Sequence, residues 1–99
     1  MAYKIEWTKN ASEDLESIIE YLKKDWSLEI AENFILEFYS KLEIISEFPF
    51  AGNPSFKEKD VRKFLITKHN SLYYKIEAGK IILLDFFDMR QNPDKNKHS

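Results

Sequence analysis

Ninety-nine residues supply material for one hydrophobic core and leave nothing for a second, so the chain is expected to form a single domain. With no cysteine and only two glycines, Gly52 and Gly79, it holds no disulfide, thiol nucleophile or glycine-rich phosphate loop, and its histidines, His69 and His98, are too far apart for a helical zinc pair. The net charge of −2 conceals a split: five lysines against eleven carboxylates give −6 over residues 1–56, and ten cations against six carboxylates give +4 over residues 57–99. Such an asymmetry marks a surface for a polyanion or an acidic partner, or follows simply from acidic helices preceding lysine-bearing strands.

Tyr3 to Trp7 alternates apolar and charged residues with period two, as a strand with one buried face does. Thr8 or Asn10 can then cap a helix, and Asn10 with Glu13 has the spacing of a capping box. Ala11, Leu15, Ile18, Ile19, Leu22 and Trp26 recur at spacings of three and four and form a stripe expected to bury. Ser27 is a candidate cap for a second helix, in which Ala31, Phe34, Ile35, Phe38, Leu42 and Ile45 repeat the pattern up to Pro49. So short a link predicts an antiparallel helix hairpin. From Phe48 to about Asp60, two prolines and Gly52 predict a loop.

Three strands follow: Val61 to Lys68, Leu72 to Glu77, and the almost wholly apolar Lys80 to Met89, which is expected inside the sheet. Turn residues at His69-Asn70-Ser71 and Ala78-Gly79 join them as an antiparallel meander. The order β-α-α-β-β-β predicts an α+β fold with the helix hairpin packed on one face of a mainly antiparallel four-stranded sheet. The domain spans residues 1–93, and 94–99 form a polar tail. Two helices cover only one face, so the other is wet or reserved for a partner. The longest apolar run, Ile81 to Leu84, is far short of the roughly 20 residues a membrane helix needs, and Met1-Ala2-Tyr3-Lys4 does not open a signal peptide. The expected compartment is the cytoplasm.

The arrangement, together with certain local sequences, resembles the RelE/ParE superfamily of toxins from type II toxin–antitoxin systems. The resemblance is carried by Trp7-Thr8 with Ala11, Asp14-Leu15, Tyr21, Ala31 with Phe34, and Pro49 with Gly52. It continues through Val61-Arg62, Leu72-Tyr73-Tyr74 and the closing Asp88-Met89-Arg90-Gln91-Asn92-Pro93, and so covers nearly the whole chain. It implies a small toxin held inactive by a cognate antitoxin. One branch cleaves mRNA in the ribosomal A site; the ParE-like branch inhibits DNA gyrase.

Cleaving RNA without a metal takes a base for the attacking 2′-OH, cations for the developing phosphorane charge and an acid for the leaving oxygen. By position Arg62 and Arg90 match two of the cations the RelE-like branch uses, and His98 is the one candidate late in the chain. The rest departs from that pattern: Phe64 and Ser71 stand near expected cations, and no tyrosine follows Tyr74. Asp85 and Asp88, an odd number of residues apart on one strand, face opposite sides and cannot share a metal there without a bulge. Asp88 is a candidate partner for Arg90 or Arg62, and Arg90 a candidate structural pin. No metal or other cofactor is expected.

Ribosome-directed binding also draws on phosphate contacts, which a chain at −2 supports poorly. The favoured expectation is therefore the ParE-like branch, a binder of a protein target. Its contact surface for target or antitoxin would comprise Arg62, Lys63, Lys68, Tyr73, Lys75 and Arg90. The alternatives are a ribosome-dependent endonuclease and a member that keeps the fold without toxicity. Oligomeric state is not legible in the sequence.

Overall fold

The computed structural model describes residues 2–55, 58 and 60–90. The tail 94–99, including His98, lies outside them. The elements are β1 (Lys4–Trp7), α1 (Lys9–Asp25), α2 (Leu28–Glu47), a 3-10 turn at Pro49–Ala51, β2 (Asn53–Pro54), β3 (Val61–Thr67), β4 (Asn70–Glu77) and β5 (Lys80–Asp88). One sheet runs in the order β1-β5-β4-β3-β2, with β1 parallel to β5 and the other pairs antiparallel. The expected α+β arrangement is present, with five strands in place of four: Asn53 and Pro54, inside the expected loop, pair with Lys63 and Arg62. A two-residue strand shows no alternation to read, and a proline without an N–H fits only an edge.

Thr8, not Asn10, caps α1: its hydroxyl oxygen accepts from Ala11 N at 3.1 Å and its O–H donates to Leu83 O at 2.7 Å. Ser27 caps α2 in the same way, accepting from Ile30 N at 3.1 Å. With only Trp26 and Ser27 between them the helices form the expected antiparallel hairpin. Ala11, Ile18 and Leu22 of α1 and Ala31, Phe34, Phe38 and Ile45 of α2 bury against Ile66, Leu72, Tyr74, Ile81, Leu83 and Phe86 of the sheet. Each of the larger side chains contributes about 1.5–3 kcal/mol of hydrophobic stabilisation. Trp26 leaves its stripe. As the residue after the last helical turn it departs from helical geometry, and it is 51% exposed.

Beyond Trp7, side chains of α1 take over the edge of β5 that β1 no longer reaches. Asn10 Nδ2 donates to Leu84 O at 3.3 Å and contacts the Asp85 carboxylate, while Asp14 Oδ2 accepts from Phe86 N at 3.2 Å. These contacts give a structural role to Thr8 and Asp14, two of the residues that carry the resemblance.

One local expectation is corrected. The β3–β4 turn falls on Lys68-His69, and Asn70 and Ser71 belong to β4, both buried. The Asn70 amide donates to Asp88, so a tertiary partner draws a turn-forming residue into the strand. In β5, Tyr73 opposes Asp85 and Tyr74 opposes Leu83, which leaves Leu84 as a bulged residue. The bulge changes parity: Ile81 and Leu83 reach the core before it and Phe86 after it. Asp85 and Asp88 both follow it and still face opposite sides. At Ala78-Gly79 the turn is where expected, and both residues have positive φ, 51° and 75°, the type I′ geometry that suits a two-residue hairpin.

Candidate partner surface and the two arginines

The sheet face opposite the helices is centred on Tyr73. Lys63 stands across from it on β3 and Asp85 on β5. Two residues along β4, Lys75 shares the same face and pairs with Glu77 at 3.5 Å, and at the β1 side Lys80 pairs with Glu6 at 3.6 Å. The face is therefore mixed in charge. Tyr73 itself is 1% exposed. On the middle strand of five, with neighbours on both sides, its side chain forms the floor of this face. Lys68 projects separately, exposed in the β3–β4 turn.

Arg62 and Arg90 do not join this face. Arg62 lies on the helix-side parity of β3, with Phe64 and Ile66. Its guanidinium donates to Gly52 O at 2.6 Å and Phe50 O at 3.4 Å and stands 4.9 Å from the Phe50 ring centre. The loop it holds is fixed from below by Tyr74, whose O–H donates to Pro49 O at 2.7 Å and whose oxygen accepts from Gly52 N at 3.0 Å. Burial raises the Tyr74 phenol above its ordinary value of 10.0, only partly offset by the Gly52 hydrogen bond and the Arg62 charge. Gly52 is required for space: a Cβ there would meet Tyr74 Oη at 2.6 Å and Lys63 O at 2.9 Å. A pocket of about 260 Å³ opens beside this loop, lined by Phe50, Pro54, Val61, Arg62 and Ile76 among others.

Arg90 sits at the other end of the sheet. It pairs with Asp88 through Nη2 at 3.1 Å, and its Cζ stands over the Trp26 ring, 5.0 Å from the ring centre. The Asp88 side chain is fully buried and also accepts from Arg90 N at 2.8 Å and from the Asn70 amide, which in turn receives the Thr67 hydroxyl. Trp26 Nε1 donates to Tyr21 Oη at 3.0 Å, which extends the chain of contacts into α1. Of the pairings open to Asp88, the one with Arg90 forms, and Arg90 acts as a pin between β5 and the helix hairpin. Nothing in the sequence marks Asn70 or Trp26 as members of this network. Their residue types pointed to a turn and to a core stripe.

Among the described residues no three metal-ligating side chains converge, and no helix is long and apolar enough to cross a membrane. Of the residues expected to form one surface, the structure brings together Lys63, Tyr73 and Lys75, leaves Lys68 at a turn, and sends Arg62 and Arg90 to opposite ends of the other face.

Comparison with solved structures places this fold among known ones. The chromosomal ParDE toxin–antitoxin system of P. aeruginosa contains a chain similar at TM-score 0.74 and 16% identity, over 88% of this chain and 96% of that one. The RelBE2 toxin–antitoxin complex of Mycobacterium tuberculosis matches at TM-score 0.61 and 17% identity, over 89% and 99%. The DinJ–YafQ toxin–antitoxin complex of E. coli matches at 0.65 and 11%, over 93% and 98%. At these identities the likeness establishes the fold. No curated protein matches the sequence significantly. The family model for the ParE toxin of type II toxin–antitoxin systems, parDE, matches residues 5–93, nearly the whole described domain, and the chain accordingly belongs to that toxin family, within the RelE/ParE superfamily.

Proposed function

We propose that this toxin arrests growth in the cytoplasm by binding a protein target, DNA gyrase being the one its branch implies, and that a cognate antitoxin neutralises it. One observation carries the choice against RNA cleavage. Metal-free cleavage needs cations and a base converging on one phosphate. Arg62 and Arg90 instead direct their donors to this chain's own carbonyls and carboxylate, at opposite ends of the helix-side face. Lys63 and Lys75 around the buried Tyr73, with Lys68 beyond, form a surface for an acidic stretch of a protein partner. The antitoxin is supported by the company of the fold, since the similar chains come from toxin–antitoxin complexes.

Induction of the gene alone is expected to stop growth with stalled replication and intact transcripts, and the purified chain to inhibit gyrase supercoiling. Co-expression of the adjacent short reading frame is expected to restore growth, with micromolar or tighter binding in a calorimetric titration. Primer extension showing cuts within translated codons, lost on Arg62→Ala or Arg90→Ala, would replace this reading with the nuclease. Normal growth with abundant soluble protein would replace it with a member that has kept the fold and lost toxicity.

A further inference from the structure

Only part of the Arg62 guanidinium is engaged. Nη1 donates to the carbonyls of Gly52, at 2.6 Å, and Phe50, at 3.4 Å, and these bonds fix the plane of the group. Nε and Nη2 have no hydrogen-bond partner among the described residues, and no described carboxylate lies within ion-pair reach of Arg62. The N–H groups of Nε and Nη2 lie parallel along one edge of the fork, the arrangement that takes both oxygens of a carboxylate. A half-buried cation without a counter-charge favours an anion beside it.

The pocket that Arg62 lines sets the size and character of that anion. At about 260 Å³ it has the volume of roughly nine waters of about 30 Å³ each, which suits a molecule of about ten heavy atoms and is too small for a nucleotide. Phe50, Pro54, Val61 and Ile76 supply apolar wall, and the Phe50 ring, 4.9 Å below the Arg62 guanidinium carbon, is itself 65% exposed. Asp60 is the other charged residue of the lining. One cation and one anion leave the described lining neutral, so a bound monoanion faces Arg62 with little opposition, whereas a second negative charge would be repelled by Asp60.

We propose that this pocket binds a small organic monocarboxylate with a flat or branched apolar body. The carboxylate pairs with the Nε and Nη2 edge of Arg62, and the body lies against Phe50, Pro54 and Ile76. Because Arg62 and Phe50 also hold the Pro49–Gly52 loop, an occupied pocket ties that loop more firmly to β3. The site is separate from the lysine-bearing sheet face, which lies on the other side of β3.

The test uses the full chain alone, with phenylacetate as probe and phenylacetamide and phenyl phosphate as comparators, read by amide chemical shifts and thermal unfolding. Phenylacetate is expected to shift the amides of Phe50, Val61 and Ile76 saturably, with a Kd of about 1 mM or below, and to raise Tm at saturation. Phenylacetamide keeps the shape without the charge, and phenyl phosphate adds a second charge; each is expected to bind about tenfold more weakly or less tightly still. Arg62→Met is expected to abolish the phenylacetate response. Since Arg62 also holds the loop, Asp60→Asn supplies an independent variant: asparagine accepts the positive φ of 68° found there. Loss of the Asp60 charge is expected to tighten phenylacetate about threefold and phenyl phosphate by more. No saturation by about 20 mM, far above the affinity expected of a ligand this size, would overturn the proposal. So would equal binding of the amide, tighter binding of phenyl phosphate by the unaltered chain, or shifts confined to the Lys63, Tyr73 and Lys75 face. None of these results touches the toxin and antitoxin readings, because neither target nor antitoxin is in the assay.

Discussion

The two ends of the sheet each hold an arginine on the helix side, and they hold it by different physics. At the β5 end Arg90 meets a carboxylate removed from water, and that carboxylate also carries Asn70 and the Arg90 backbone. At the β3 end Arg62 meets neutral carbonyls of the Pro49–Gly52 loop, and the loop's position depends on a phenol and on the room left by a missing side chain. A buried charge tolerates no loss of its partner, whereas neutral hydrogen bonds and steric fit fail in smaller steps. The contrast ranks the outcomes of substitution. Asp88→Ala, which strands the Asn70 amide and frees Arg90, is expected to cost about 3 kcal/mol, and to lower Tm by more than about 10 °C for a domain of this size. Thermal unfolding followed by circular dichroism checks it. A fall no larger than that of the β3-end variants below would erase the distinction.

Gly52→Ala tests the steric half of the comparison. One of the two close atoms is the Lys63 carbonyl, which is backbone of a paired strand and cannot swing aside. The expected cost is about 2 kcal/mol, in the range of overpacking, read as a shift in the urea midpoint with an unchanged slope. The φ of Gly52 is −74°, so the loss arises from crowding and not from backbone strain.

How much of this was legible follows the same division. Local signals were sufficient for the helices and the meander: the 3.6-residue stripes, Ser27 and Pro49, and Ala78-Gly79 each act within a few residues of where they stand. What depended on partners distant in sequence was not. Trp26 was in phase with the α1 stripe but ends at Arg90, and Asn70 has the chemistry of a turn but lies in β4 because Asp88 is opposite. The Leu84 bulge was hidden in a run apolar at every position, where parity leaves no trace. Most consequentially, the pattern of cations on β3 and at the end of β5 was visible, but whether each was free was not. Arg62 and Arg90 are engaged inside the chain, and of the six expected residues Lys63, Tyr73 and Lys75 share one face.

Tyr74→Phe separates the hydrogen bonds of the β3 end from its fit, since it keeps the ring and removes the oxygen. Gly52 N–H and Pro49 C=O lose their partner in a buried site, at an expected cost of about 1–2 kcal/mol. The pH dependence supplies a second reading. Burial raises the phenol in the folded state above its ordinary value of 10.0, so the folded chain holds that proton more tightly than the unfolded one. Its contribution is fully present below about pH 10, and is lost as pH rises through the folded value, because the unfolded state ionises first. Stability of the wild type should therefore fall more steeply above pH 10 than that of Tyr74→Phe. Parallel curves would show that the phenol is not desolvated.

The smallest expected effect lies in the turn at the same end, between β4 and β5, and it runs in the stabilising direction. Ala78 has φ 51°, in the left-handed region where its Cβ crowds the following carbonyl oxygen, whereas Gly79 beside it has no such penalty. Glycine at position 78 relieves that crowding but loosens the unfolded chain, and the two effects partly cancel. A net gain of about 0.5 kcal/mol is expected for Ala78→Gly, with the Glu77 to Lys80 pairing retained. Because the turn shares no hydrogen bond with Tyr74, the gain should add to the loss from Tyr74→Phe in the double variant within a few tenths of a kcal/mol. Non-additivity would mean that the β4–β5 turn and the Arg62 loop are coupled, and that the β3 end is a wider unit than its hydrogen bonds describe.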